Sequence, residues 1–305
     1  MTPMPHLRSA PVDAAHRATT TDATRAAAAD ARAAALTAAV DVREVREPDE
    51  LLRVRDLFIG VWQEDPDDPA MSSAVLRALA ACGSYVAGAW RGRELVGACV
   101  AFFGRRDDDW ELHSHIAGVI PRARGSNVGF ALKTHQRAWA LGRDVQRISW
   151  TFDPLVARNV YFNATKLGAA VGAYLPEFYG SMNDAINGGD LTDRVMANWS
   201  LPADAVARAC SGHPDEPDLA AWRAGGAVDA LWADDDDRPA GQSSDADTVL
   251  ISIPRDIEAL RHTDPRAALA WRLALRDVLG GRLAAGWQVV GFSKRGTYVM
   301  QRGAV

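Results

Sequence analysis

The stretch Gly118-Val119-Ile120-Pro121-Arg122-Ala123-Arg124-Gly125-Ser126-Asn127-Val128-Gly129-Phe130-Ala131-Leu132-Lys133 decides the fold. An apolar run ends at Ile120, a basic turn holding Gly125 follows, and a helical pattern starts near Asn127. Such a turn presents unpaired backbone amides and the positive end of a helix dipole to whatever lies in front of it. That geometry suits an anion such as a pyrophosphate. Arg122 and Arg124 add charge, and Gly125 and Gly129 permit close approach of the backbone. An ordinary strand-to-helix turn has the same composition, so the flanking elements must decide between the two readings.

Upstream, Val42 to Arg46 reads as extended, and Pro48 opens a helix carrying Leu51, Leu52, Val54, Leu57, Phe58 and Val61. Pro69 punctuates a second helix over Ala70 to Ala81. Three strand-like runs follow, Ser84 to Trp90, Leu95 to Phe103 and Trp110 to Ile120, joined by Arg91-Gly92-Arg93 and by the polar Arg105 to Asp109. The short connections predict an antiparallel meander. Downstream come a helix over Asn127 to Leu141, a strand at Arg147 to Phe152, a helix over Leu155 to Leu167, and strands at Ala169 to Tyr174 and Arg194 to Ser200. The order β-α-α-β-β-β-α-β-α-β-β predicts an α/β chain with a mixed sheet flanked by helices and a βαβ crossover at its middle.

Four segments follow from composition. Residues 1–40 hold 15 alanines and almost no large apolar side chain, which predicts a mobile tail. Residues 41–200 form the mixed-sheet domain. Residues 201–247, with Pro, Gly, Ser and the acidic run Asp234 to Asp237, read as a linker or surface excursion, part of which docks through Trp222 and Trp232. Residues 248–305 repeat the alternation on a smaller scale: strand Val249 to Ile253, helices Asp256 to His262 and Arg266 to Leu283, and a hairpin of Trp287 to Phe292 with Thr297 to Gln301. This is a small α/β extension, either a separate lobe or a continuation of the first sheet.

The chain has 305 residues, 48% hydrophobic, which is enough for a sizeable core. Its 34 basic and 39 acidic residues give a net charge of −5 without a long basic run, which argues against a nucleic-acid partner. The longest stretch without charge, Ala78 to Trp90, is shorter than the roughly 18 residues of a spanning helix, so no membrane partner is expected. No signal-peptide pattern opens the chain, and Cys82, Cys99 and Cys210 are scattered. A reducing, cytoplasmic location is expected.

With this element order, Arg124-Gly125-Ser126-Asn127-Val128-Gly129 resembles the Gln/Arg-x-x-Gly-x-Gly/Ala turn of the GNAT acyl-CoA N-acyltransferase superfamily. It departs at Asn127, where the family usually has Gly. The resemblance covers roughly residues 42–200. It implies a GNAT-like fold in which Arg124, Gly125, Ser126, Asn127, Val128 and Gly129 hold the pyrophosphate of acetyl-CoA or another acyl-CoA. The strand edge at Val119 would pair with the pantetheine arm. The segment Arg158-Asn159-Val160-Tyr161-Phe162-Asn163-Ala164-Thr165-Lys166-Leu167-Gly168 is similar to the family's next helix. There Asn159 would face the cofactor and Lys-x-Gly matches, while Ala164 stands where a proton-donating Tyr is usual. Tyr161, three residues earlier, is the candidate acid, or else a core aromatic beside Phe162. Asn163 could face the substrate pocket.

An amine must lose a proton before it attacks a thioester, so a base is required. Glu111, His113 and His115 alternate with Leu112, Ser114 and Ile116 and so share one face of a strand. Any of the three could serve, since imidazole titrates near neutrality. Their rivals are core histidines and a His-x-His metal site, although the remaining histidines show no ligand spacing and no resident metal is expected. Asp153, at the end of the next strand, could line the substrate pocket or cap the following helix.

The expected function is direct transfer of an acetyl or other short acyl group from coenzyme A to a small-molecule amine, an amino acid among the options. A homodimer is left open. The alternatives are a non-catalytic acyl-CoA-binding or regulatory protein of the same descent, and a metal-dependent hydrolase.

Overall fold

The computed structural model describes residues 14–106, 109–180 and 191–303. In chain order the elements are α1 (Ala14–Thr37), β1 (Asp41–Glu44), α2 (Pro48–Trp62), α3 (Ser73–Ala81), β2 (Tyr85–Arg91), β3 (Glu94–Arg106), β4 (Asp109–Val119), α4 (Val128–Leu141), β5 (Arg147–Phe152), α5 (Ala157–Val160), β6 (Ala170–Leu175) and β7 (Arg194–Ser200). Then follow α6 (Asp204–Cys210), α7 (Leu219–Ala224), β8 (Val228–Ala233), β9 (Pro239–Gly241), β10 (Thr248–Ser252), α8 (Ile257–Thr263), α9 (Pro265–Leu275), α10 (Gly281–Ala284), β11 (Gln288–Ser293) and β12 (Thr297–Gln301).

The first seven strands form one mixed sheet in the order β1-β2-β3-β4-β5-β7-β6. Its helices form for local reasons. Pro48 stands in the first turn of α2 with Asp49 and Glu50, where acidic groups favour the helix dipole, and Leu51, Val54, Leu57, Phe58 and Val61 make its buried stripe. The Ser72 side chain caps α3 by accepting from the Val75 amide at 3.3 Å. The predicted antiparallel meander forms as β2-β3-β4. The helix predicted over Leu155 to Leu167 forms as α5 followed by a π-helical turn, Tyr161–Lys166.

Two features position the candidate site. In the β3–β4 ladder Val100 faces Ile116 and Ala101 faces Ser114, so His115 is the extra residue of a β-bulge. The parallel pairing of β4 with β5 is confined to Leu112↔Ile148 and His113↔Ser149. Beyond His113 no further β4–β5 pair forms, and β4 runs on alone on that side to Val119 and the turn before α4.

Residues 1–40 do not form a mobile tail over their described part. Helix α1 packs on α4 through Ala27, Ala31, Ala34 and Ala38, all buried, whose spacing puts them on one stripe. Arg137 of α4 pairs with Asp30 at 3.1 Å with almost no exposure of the arginine. Alanines bury little area each, but they let two helix backbones come close, which composition alone conceals. Residues 1–13 lie outside the described residues, as do 107–108 and 181–190 within the 41–200 segment and 304–305 within the last one.

The 201–247 excursion is also corrected. It contains α6, with Val206, Ala209 and Cys210 buried, and strands β8 and β9 of a second sheet ordered β11-β12-β10-β8-β9. Residues 248–305 therefore do not extend the first sheet. The second sheet repeats the topology of the first one's later half: β8 runs parallel to β10, and β12 and then β11 return antiparallel, as β5 follows β4 and β7 and β6 return. One continuous apolar core joins both sheets, from Ala27 through Trp199 and Trp271 to Met300.

Candidate active site

The face of the first sheet turned away from α4 carries a polar strip across β3, β4 and β5. On the α4 side, Ile148, Trp150 and Phe152 of β5 are buried in apolar contact; Ser149 and Thr151 alternate with them and point the other way. Ser149 is fully buried. Its Oγ lies 3.3 Å from His113 Nδ1 and donates to Glu111 Oε1 at 3.1 Å. Arg106 Nε stands 3.2 Å from Glu111 Oε2, close enough for an ion pair but off the hydrogen-bond direction, and that oxygen has no hydrogen-bond partner. Arg106 also donates to Asn198 Oδ1 of β7 at 3.4 Å. The rings of His113 and His115 are 6.4 Å apart, and Phe102 of β3 touches both.

The three predicted β4 residues therefore come together, each in a different setting. Glu111 is buried, His113 half-buried and His115 exposed at the bulge. Burial, and then the neighbouring His115, lowers the pKa of His113, with Glu111 opposing. Partial burial lowers that of His115. Both rings are thus held towards the neutral, proton-accepting form.

About 20 Å of extended strand separates His113 from Val119, at roughly 3.3 Å per residue. There the chain passes through a 3-10 turn, Pro121–Ala123, into the start of α4. Gly125 has φ 78° and Asn127 φ 61°, both left-handed. Asn tolerates that region better than most residues, so its presence where the motif has Gly fits the backbone. Asn127 provides no side-chain cap to α4. The first amides of α4 accordingly keep the helix-terminal geometry that receives an anion. Arg124 and Gly125 are exposed, Ser126 is half-buried with its Oγ bound to Ala123 O at 2.8 Å, and Val128 is buried. A Cβ built at Gly129 would meet only Phe162 and Val119, both at 3.9 Å, so this glycine lies between the end of β4 and the π-helical turn with room for a methyl group. Lys166 Nζ donates to Asn127 Oδ1 at 3.0 Å, and burial, then Lys294 of the β11–β12 turn, lowers its pKa.

The other predicted residues lie elsewhere. The Tyr161 hydroxyl donates to Glu216 Oε2 at 3.3 Å, and burial and then that carboxylate raise its pKa. Asn163 does point inward, but its Oδ1 is taken by the Trp150 indole at 3.2 Å. Asn159 is half-buried, its amide bound to Val156 O at 2.8 Å. Asp153 lines no opening: its carboxylate receives Arg272 at 2.8 and 2.9 Å, Arg261 at 2.6 Å and the Leu155 amide at 2.9 Å. Its place is in the joint with α8 and α9, and it does not cap the following helix either: α5 starts after Val156 and has no side-chain cap, while Asp153 closes only the turn before it. Among the described residues no cluster of three His, Cys, Asp or Glu could hold a metal ion.

Sequence reasoning did not single out Ser149, Arg106 or Asn198. The signal for Ser149 was there, since Ser149 and Thr151 alternate with three large apolar residues in a central strand.

No protein-family model matches the chain, and no curated protein matches it. Solved structures do. An acetyltransferase from Streptococcus pneumoniae is 14% identical, covering 52% of this chain and 98% of its own, with a TM-score of 0.42. A phosphinothricin acetyltransferase from Sinorhizobium meliloti, solved with acetyl-CoA, is 14% identical over 52% of this chain and 87% of its own, TM-score 0.43. The ribosomal-protein-S18-alanine N-acetyltransferase of Escherichia coli is 13% identical over 53% of this chain and 94% of its own, TM-score 0.42. The first two carry the GNAT name. About half of this chain lies outside each of these likenesses.

Proposed function

We propose that the chain is a GNAT-type N-acyltransferase that moves an acetyl or other short acyl group from coenzyme A directly to an amine. One observation carries this reading: β4 stops pairing with β5 after His113, and the same strand runs on to a turn whose left-handed Gly125 and Asn127 feed an uncapped helix N-terminus. A long thioester cofactor needs such an arrangement, with an anion cradle at one end and a proton acceptor at the other. The amides from Arg124 to Gly129 would hold the pyrophosphate, with Arg124 and Lys166 as the nearby cations. The exposed edge of β4 near Val119 would pair with the pantetheine arm. With both substrates held in place, much of the rate would come from positioning. A free amino acid is one acceptor class within this reading.

Calorimetric titration with coenzyme A, acetyl-CoA and succinyl-CoA tests it, with thiol release then followed across an amine panel. Micromolar binding with turnover supports the enzyme. Tight binding without turnover on any amine would favour a regulatory acyl-CoA binder, a reading supported by Ala164 and by the engagement of Tyr161 with Glu216. No binding would defeat both.

A further inference from the structure

The buried Ser149 hydroxyl stands between two groups that make opposite demands on it. Glu111 Oε1 is 3.1 Å away and His113 Nδ1 is 3.3 Å away. A hydroxyl has one proton to give, and a carboxylate can only accept. The Ser149 proton therefore goes to Glu111, and Oγ faces His113 with a lone pair. Nδ1 must then carry hydrogen, which leaves the lone pair of the neutral ring on Nε2.

We propose that Ser149 is a positioning residue for acyl transfer, converting the negative charge of Glu111 into the one His113 tautomer whose Nε2 accepts the amine proton. The inference rests on the acyltransferase reading and names which of the β4 groups is the base. His113↔Ser149 is the last β4–β5 pair, so His113 stands where the pairing of the two strands ends. Glu111 is too enclosed by Ser149 and Arg106 to reach an amine itself. The groups that face or influence His113 are Glu111 and His115 on its own strand, Arg106 on β3, Ser149 on β5 and Lys133 on α4; burial and the three cationic or basic neighbours favour the neutral ring, while Glu111 opposes them. In the reaction the amine nitrogen bonds to the thioester carbon and gives a proton to Nε2. The C–S bond breaks with its electron pair left on sulfur, which takes a proton from water, and the imidazolium returns its own proton to solvent.

Nitrogen-15 spectra of the whole chain, labelled at histidine and recorded at pH 8, read the tautomer without any need for activity. The His113 signals are assigned by their loss in His113→Gln. The wild type should show a protonated Nδ1 and a bare Nε2. Ser149→Ala should lose that preference, and Ser149→Cys, which keeps the volume and a weak donor, should retain part of it. In Glu111→Gln the amide can donate to Oγ and turn the hydroxyl towards His113, so the tautomer should invert. In kinetics, Ser149→Ala should lower kcat by at least about tenfold with the KM for acyl-CoA unchanged, as expected when proton transfer is impaired. A wild-type ring protonated on Nε2, or a tautomer unaffected by Ser149→Ala, overturns the role of Ser149 even if the chain turns over acyl-CoA. The stated tautomer in a chain that binds no acyl-CoA overturns the proposed function instead.

Discussion

Arg272, in the last turn of α9, grips both oxygens of Asp153 at 2.8 and 2.9 Å, and neither residue is open to solvent. Burial alone would raise the Asp153 pKa, but Arg272 and Arg261 overcome it and hold the carboxyl well below the usual range. The pair lies where the end of β5 meets the C-terminal helices, so it couples the two sheets.

Removing the carboxylate takes the Asp153 charge away from two buried guanidinium groups at once, whereas removing one arginine leaves Asp153 paired with the other. Asp153→Asn should cost about 3–5 kcal/mol, read as a lower urea midpoint, and Arg272→Met, which keeps Arg261 on the carboxylate, should cost less.

The same depressed pKa sets an acid limit. Because the folded value lies below the unfolded one near 3.9, the contribution of Asp153 is fully present above pH 4 to 5 and is lost as pH falls further. In Asp153→Asn the acid limb of a stability–pH curve should flatten.

Lys133 titrates in the opposite sense. Its Nζ is buried over the Trp150 ring at 3.8 Å and donates to Ser114 and Gln136, and burial brings its pKa down to about 8. Below pH 8 both folded and unfolded chains hold the proton and the full burial penalty is felt; between pH 8 and about 10.4 only the unfolded chain holds it, so stability should rise with pH there. Lys133→Met should abolish that rise in urea titrations at pH 7, 8.5 and 10.

On the proposed reading, Gly129 separates fold from binding. Gly129→Ala places its methyl 3.9 Å from Phe162 and Val119, an ordinary contact, so stability should hold and coenzyme A should still bind. Gly129→Val adds bulk between the end of β4 and the π-helical turn, and calorimetry should show affinity falling by about tenfold or more, or 1.4 kcal/mol, with little change in melting temperature.

The α1–α4 contact is built on buried alanines. Ala27→Leu, at a position with no exposure, should cost about 1–3 kcal/mol by overpacking and make α1 sensitive to limited proteolysis.

Much of the first sheet was legible because its signals are local. Strands β5 and β7 have the predicted bounds, and Glu111 and His113 share a face of β4 as their alternation predicts. What escaped depends on distant partners or on small increments. The stripe Ala27, Ala31, Ala34 and Ala38 has helical spacing but no large side chain to mark it. Strand β8 lies between Gly225-Gly226 and the acidic turn that starts at Asp234, so its surroundings read as loop. Asp153 sits at a strand end, as binding residues often do, yet its partners Arg261 and Arg272 are 108 and 119 residues away. The bulge at His115 depends on the register of β3, which alternation within β4 does not encode.

The half-repeat in the second sheet also fixes a stoichiometry. After β4 the chain enters a helix, but after β8, the strand in the matching place, it turns at Asp234 into β9, with Asp234 Oδ1 accepting the amides of Asp236 and Arg238 at 3.0 and 2.9 Å. An acidic hairpin replaces the amide-lined helix start, and it repels the anion that the other turn attracts. On the acyltransferase reading, titration of each chain should therefore saturate at a single equivalent of cofactor.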